Sequence, residues 1–187
     1  MDFLIDKIEE LLMNKSDAII GIDGYCASGK TTLAMQLAEK FNAQIIHMDD
    51  FFLPPEMRTE GRLSETGGNV HYERFNAEVV SELKKGTEFA YRAFRCKYGD
   101  FGEIRRILPD KPVIIEGSYA FHPEIKLSYD LKIFVKADYE TRLERILQRN
   151  GAEALRVFKK KWIPLENRYF DEFNIEENCD IIKQTGK

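Results

Sequence analysis

The sequence predicts an α/β fold, a parallel five-stranded sheet flanked by helices, with a small β-hairpin insertion and a helical lid. Three observations predict it. Short apolar runs without polar alternation recur along the chain, as strands buried on both faces require. Amphipathic stretches at helical spacing separate them. Between the first such strand and the next helix stands Gly24-Tyr25-Cys26-Ala27-Ser28-Gly29-Lys30-Thr31, the spacing G-x-x-x-x-G-K-T of a loop that cradles phosphates.

The elements follow in order. Leu4, Ile8, Leu11 and Leu12 share one face of a helix over residues 3 to 13 that covers the sheet. Ala18-Ile19-Ile20-Gly21-Ile22 opens a buried strand over 18–23. After the phosphate loop, Leu33, Leu37 and Phe41 recur at helical spacing to residue 41, and Gln44-Ile45-Ile46-His47-Met48 forms a second strand ending in Asp49-Asp50. Pro54 to Val70, with Gly61, Gly67 and Gly68, is a connection too long to be only a link, and such loops are usually functional or mobile. Phe75, Val79 and Leu83 mark a helix over 72–85 that stops at Gly86. Phe89–Phe94 and Ile104–Leu108 flank Gly99-Asp100-Phe101-Gly102 as a hairpin. Val113-Ile114-Ile115-Glu116, Leu131–Val135 and Asp180-Ile181-Ile182 complete the five strands. Helices are expected over 138–149 and 152–172, the second disturbed by Pro164. The whole chain, residues 1–187, reads as one domain with its lid at about 142–160.

Composition bounds the partners. The chain has 28 Lys and Arg against 32 Asp and Glu, a formal charge of −4, which gives a general nucleic-acid-binding role no electrostatic support. No apolar run reaches the length of a membrane span, and Met1-Asp2-Phe3 lacks the basic start of a secretory signal. The three cysteines, Cys26, Cys96 and Cys179, are widely spaced and form no metal-binding pair, so a reducing cytoplasm is the economical expectation. Cys26 reads as a small residue tolerated in a tight loop rather than as a redox sensor. A homo-oligomer is compatible with everything the sequence contains.

The chemistry concentrates at the strand ends. Gly24 and Gly29 let the backbone approach an anion closely, so the N–H groups of Ala27, Ser28, Gly29, Lys30, Thr31 and Thr32 can face phosphate oxygens at a helix N-terminus. Lys30 adds a point charge for the outer phosphates, and the Thr31 hydroxyl suits magnesium. Asp49 and Asp50 leave the second strand at the same end of the sheet, where a carboxylate can take the proton of an attacking alcohol or cap a turn. Glu116 ends a buried strand, either as a holder of magnesium or its water shell or as a strand-end acid in solvent. Arg142, Arg145 and Arg149 lie within about 60° on one helix face, with Arg149 nearest the flexible Asn150-Gly151 and best placed to reach a transferring phosphoryl group. The remaining arginines and the run Lys159-Lys160-Lys161 read as solvated.

Taken together, these residues resemble the uridine kinase family. Gly21-Ile22-Asp23-Gly24 through Ala34 is similar to its opening, Met48-Asp49-Asp50-Phe51-Phe52 to its Asp-x-Phe-Tyr element, and Ile115-Glu116-Gly117 to its Glu-Gly turn. Asp130–Val135 followed by Thr141-Arg142-Leu143, and the tail from Tyr169 to Ile182, extend the likeness over nearly the whole chain. The resemblance implies a P-loop NTPase fold and transfer of a γ-phosphoryl group from ATP or GTP, with magnesium, to a hydroxyl of a small nucleoside-like acceptor. It implies Asp49 as base or orienter, Glu116 and Thr31 on the magnesium side, Arg149 from the lid, and Phe51 within the acceptor element. The chain departs from the family where Asn69-Val70-His71-Tyr72-Glu73 stands in place of Asn-x-Asp-His-Pro, whose Asp holds the ribose diol, and where Phe94-Arg95 replaces a Tyr-Asp. His71 is then either a substitute hydroxyl-binding group or a cap. Arg92, with Arg58 and Arg62, is either an acceptor-side contact suited to an anionic acceptor or a surface residue. Kinases of the same architecture for pantothenate or a sugar phosphate, and a nucleotide-binding regulatory module with little turnover, are the alternatives.

Overall fold

The computed structural model describes residues 2–186. Its main sheet holds five parallel strands in the order β2-β5-β1-β6-β7: β1 (Ile19–Gly24), β2 (Gln44–His47), β5 (Val113–Glu116), β6 (Leu131–Lys136) and β7 (Ile181–Gln184). Strands β3 (Phe89–Arg95) and β4 (Asp100–Ile107) form a separate antiparallel hairpin. All five expected sheet strands are present, so the predicted fold class stands.

Alternation along the strands explains the two-layered core. Ile20, Ile22, Ile114, Ile133 and Val135 face one side, where α1 (Asp2–Asn14) and α2 (Lys30–Phe41) deliver Leu4, Ile8, Leu33 and Leu37. Ile46, Val113, Ile115 and Phe134 face the other, against Phe51, Phe75, Tyr91, Tyr169 and Phe170. This second layer is aromatic, and Gly21 makes room for it, because a Cβ there would lie 2.2 Å from the Phe121 ring.

The long connection after β2 is folded. Phe52 and Val70 form an antiparallel bridge at its base, and α3 (Glu60–Ser64) lies within it, capped by Thr59. The helix expected over 72–85 forms as α4 (Tyr72–Phe75), a π-helical stretch Asn76–Val80 and α5 (Ser81–Leu83). The break expected between the two C-terminal helices is present: within α6 (Tyr139–Val157), Gly151, with φ of 84° and ψ of 172°, interrupts the helical path and leaves one helical segment on each side. A π-helical turn, Phe158–Trp162, then leads into α7 (Ile163–Glu172), with Pro164 in its first turn, where a missing N–H costs no hydrogen bond.

Candidate active site

The carboxyl ends of β1, β2 and β5 open on a cavity of about 1060 Å³. Gly24 ends β1 with a φ of 140°, and a Cβ there would sit 2.0 Å from the Val135 carbonyl oxygen, so only glycine lets the chain turn against β6. Gly29, in the left-handed region at φ 100°, delivers the chain into α2, and no side chain caps that helix. Its first-turn N–H groups therefore remain available to an anion, reinforced by the helix dipole. Lys30 is buried, and its ammonium donates to the carbonyls of Gly24 at 2.7 Å and Tyr25 at 2.9 Å and to Ser118 Oγ at 3.3 Å.

Pairing of β2 with β5 sets the carboxylate arrangement. His47 lies opposite Glu116 in the register, and its Nδ1 meets Glu116 Oε1 at 2.5 Å. That hydrogen bond, more than any other influence, raises the pKa of His47. The Thr31 hydroxyl donates to the same carboxylate at 3.2 Å. Beyond β2 the chain makes one 3₁₀ turn, Met48–Phe51, and a third of a turn separates its neighbouring side chains. Asp49 and Asp50 therefore diverge. Asp49 opens on the cavity, while protein crowds it on its other sides; this desolvation, and then the charge of Glu116, holds its pKa above the ordinary aspartate value. Asp50 turns towards the hairpin, where it accepts from the Tyr91 hydroxyl at 3.1 Å and pairs with Arg105 at 3.1 Å.

The three arginines expected on one face of α6 have three fates. Arg142 is buried with its guanidinium 4.4 Å from the Tyr25 ring centroid. Arg145 donates to the Ala27 carbonyl at 3.0 Å and the Thr185 hydroxyl at 3.2 Å, fastening the phosphate loop to the end of β7. Arg149 lines the cavity and donates to Asn150 Oδ1 at 2.8 Å. Lys160 and Lys161, expected to be merely solvated, line the cavity too.

Ala27, Gly29, Lys30, Thr31, Thr32, Asp49, Glu116 and Arg149 share that cavity; Gly24 forms the base of the loop, and Ser28 is buried within it. Three expected acceptor residues lie elsewhere. Phe51 is fully buried, its ring against Phe75 at 4.9 Å and Tyr91 at 5.0 Å, because an apolar ring on the far side of the 3₁₀ turn is drawn into the core. His71 caps α4, accepting from the Arg74 N–H at 3.3 Å. Arg92 points off the outer face of β3 and donates to the Phe101 carbonyl at 3.2 Å. The cavity is lined instead by Phe52, Arg58, Leu63, Glu65, Asn69, Cys96 and Tyr119.

Sequence reasoning missed Asp23 and Glu166. Asp23 is wholly buried behind the loop, where its carboxylate accepts from Gly24 N at 2.7 Å, the Tyr169 hydroxyl at 2.8 Å and Phe121 N at 3.2 Å; burial pushes its pKa to about 6. Glu166 shares the buried stripe of α7 with Ile163, Tyr169 and Phe170. A carboxylate on an apolar helix face was the available signal. Burial, with Glu166 close by, pushes the Cys26 thiol up to about 12, which leaves it inert.

These residues fit a nucleotide triphosphate with magnesium. The uncapped helix and glycine-lined loop suit phosphate. No group of three or more His, Cys, Asp or Glu side chains forms a metal cage among the described residues. Magnesium in phosphoryl-transfer sites needs no such cage, being held by one or two protein oxygens together with substrate phosphates, as Thr31 and Glu116 would provide.

A family model, phosphoribulokinase / uridine kinase family, matches residues 19–156. The chain belongs to this family. It is 33% identical over 188 residues to uridine-cytidine kinase B of Dictyostelium discoideum, covering 92% of this chain and 76% of that protein. It is 27% identical to nicotinamide riboside kinase of Saccharomyces cerevisiae, covering 88% and 77%. A solved structure described as a possible uridine kinase from Bacillus stearothermophilus superposes with a TM-score of 0.67 at 20% identity, over 98% of this chain and 100% of that one, and so shares the fold. Other relatives are longer: the chain spans 30–43% of the length of uridine kinase-like proteins 4 and 3 of Arabidopsis thaliana and of a Schizosaccharomyces pombe protein named tRNA-specific adenosine deaminase subunit tad2. No helix among the described residues is long and apolar enough to cross a membrane.

Proposed function

We propose that this member of the uridine kinase family transfers the γ-phosphoryl group of ATP, with magnesium, to a hydroxyl of a nucleoside-like acceptor. One observation carries the reading: Lys30, the Thr31–Glu116 pair and Asp49 all open on one cavity large enough for two small ligands. ATP, when bound, supplies the phosphoryl group, and magnesium offsets its charge. Lys30 and the first-turn N–H groups of α2 hold the phosphates. Thr31 and Glu116 hold magnesium. Asp49 orients the acceptor hydroxyl and takes its proton, and its raised pKa brings it closer to the strength a base needs near neutral pH. Arg149, Lys160 and Lys161 bring positive charge from the lid, whose closure excludes water that would otherwise hydrolyse ATP.

The acceptor side supports a nucleoside-like molecule more than an anionic one. Phe52, Leu63 and Tyr119 offer apolar and aromatic surface, Asn69 an amide, and Arg58 is the one guanidinium on this wall, its Nε already donating to the Leu53 carbonyl at 2.8 Å. Arg62 is held by the Gly68 and Val70 carbonyls and by Glu73, and so does not serve an acceptor. The relatives from Dictyostelium discoideum and Saccharomyces cerevisiae are a uridine-cytidine kinase and a nicotinamide riboside kinase by name, which supports this acceptor class. A screen for acceptor-dependent ADP release across pyrimidine nucleosides, nicotinamide riboside, pantothenate and sugar phosphates tests the reading. Efficient turnover of a nucleoside is expected. Turnover confined to an anionic acceptor overturns the acceptor class, and ATP-analogue binding without any turnover points to a regulatory module.

A further inference from the structure

Glu166 is the one carboxylate that reaches the phosphate loop from the C-terminal helix. It is 6% exposed, sits 140 residues from Cys26 in sequence, and contacts one group in the loop and one in the turn after β5. Its Oε2 accepts from the Cys26 N–H at 2.9 Å, and its Oε1 accepts from the Ser118 hydroxyl at 2.8 Å. Ser118 Oγ in turn lies 3.3 Å from the Lys30 ammonium and 3.4 Å from the Gly24 carbonyl. A continuous chain of hydrogen bonds thus runs from α7 through Ser118 to the cation of the loop.

Two features argue that this chain is more than packing. A carboxylate on a buried helix face is costly unless its oxygens are bonded, and both Glu166 oxygens find partners at the loop and at the turn following β5. Helix α7 also follows Gly151 and the π-helical turn that presents Lys160 and Lys161 to the cavity, so Glu166 fixes the far end of the segment that carries those lysines.

We propose that Glu166 is a positioning residue. It seats α7 on the phosphate loop and, through Ser118, sets the Lys30 ammonium where it acts on the transferring phosphoryl group. The inference rests on the kinase reading above and assigns Glu166 no contact with either substrate. The carboxylate geometry is specific, because glutamine keeps the length and shape of the side chain but replaces one acceptor oxygen with a donor amide facing either the Cys26 N–H or the Ser118 hydroxyl.

The test is a double-mutant cycle with Glu166→Gln and Ser118→Ala, read as kcat and KM for ATP on the best acceptor, with thermal unfolding of each variant alongside. Each single change should lower kcat about 10–100-fold, with a smaller change in KM, because the loss falls on the transition state. The double variant should lose no more than the larger single, as groups acting in one chain do. Glu166→Asp, which keeps the charge but shortens the reach, should recover part of the loss. Wild-type kcat in Glu166→Gln, or single losses that multiply in the double variant, overturns the proposal. Should Glu166→Gln fail to fold, Ser118→Ala decides alone, and unchanged kcat in it overturns the proposal. Absence of turnover in the wild type would count against the kinase reading. The same cycle is then read as affinity for a fluorescent ATP analogue, where coupled losses support the positioning role and additive losses overturn it.

Discussion

The two halves of the cavity are built in different ways. The donor half is assembled from strand ends: Gly24 closes β1, Glu116 closes β5, Asp49 follows β2, and hydrogen bonds from Arg145 and Glu166 tie the loop to β7 and α7. Backbone pairing fixes the strand ends from which these groups project. The proposed acceptor half comes mainly from the connection between Leu53 and Val70, which contains the five-residue helix α3, is closed by the Phe52–Val70 bridge, and is held by hydrogen bonds of Arg168 to the Ser64 carbonyl and of His122 to the Thr66 carbonyl. A scaffold of paired strands tolerates little change, whereas a connection outside the sheet can take new side chains without disturbing it. By the resemblance read from the sequence, the residues of the proposed donor half match the family pattern and those of the proposed acceptor half depart from it.

The largest expected effect separates the halves most sharply. Lys30→Ala should cut ATP-dependent phosphorylation by more than about 10³-fold, measured as ADP release at saturating acceptor; retained activity would remove the loop from the chemistry. Asp49→Asn stands at the seam of the two halves, and turnover should fall by about 10²–10⁴-fold with ATP-analogue binding nearly unchanged. In the wild type, the acid limb of the kcat/KM profile should lie above the ordinary aspartate range, as the raised pKa of Asp49 requires. An equal loss of turnover and nucleotide binding in Asp49→Asn would place Asp49 in the donor half only.

Asp23 tests how far the donor half depends on buried polar groups. Its folded-state pKa of about 6 exceeds the ordinary value of 3.8, so its contribution to stability is full below pH 3.8 and is lost as pH rises through 6. The difference amounts to roughly 3 kcal/mol between acid and neutral pH. Asp23→Asn should remove that segment of the stability profile, followed by denaturant unfolding from pH 4 to pH 8, and an unchanged profile would mean that Asp23 titrates in its ordinary range. The smallest effect belongs to the acceptor half. Asn69→Ala should raise KM for the acceptor about tenfold, the cost of one hydrogen bond to a substrate hydroxyl, and leave KM for ATP unchanged. A change in the ATP parameter instead would join the two halves that the geometry separates.

Legibility followed the same division. The phosphate loop, the strand that ends in Asp49-Asp50 and the Glu116 turn were readable because the chemistry there uses neighbours in sequence. The choice between Asp49 and Asp50 was readable only as a resemblance, and the 3₁₀ turn supplied its cause by pointing one side chain at the cavity and the other at Tyr91. Phe51 and His71 were misplaced because core burial and helix capping claimed side chains that linear proximity had assigned to the acceptor. Arg145 read as one of a solvated row, since nothing local shows that a helix face will meet the Ala27 carbonyl.

By itself the sequence determined the parallel sheet, the glycine turns of the phosphate loop and the cation and hydroxyl at its end, because unbroken apolar runs, glycine conformation and i-to-i+7 spacing are local properties. Only the tertiary structure decided which carboxylate faces the cavity, which arginine grips the loop, and that Glu166 reaches Cys26 and Ser118. Those contacts join segments up to 140 residues apart, as in the Cys26–Glu166 hydrogen bond, and they exist only where sheet and helix packing bring the segments together.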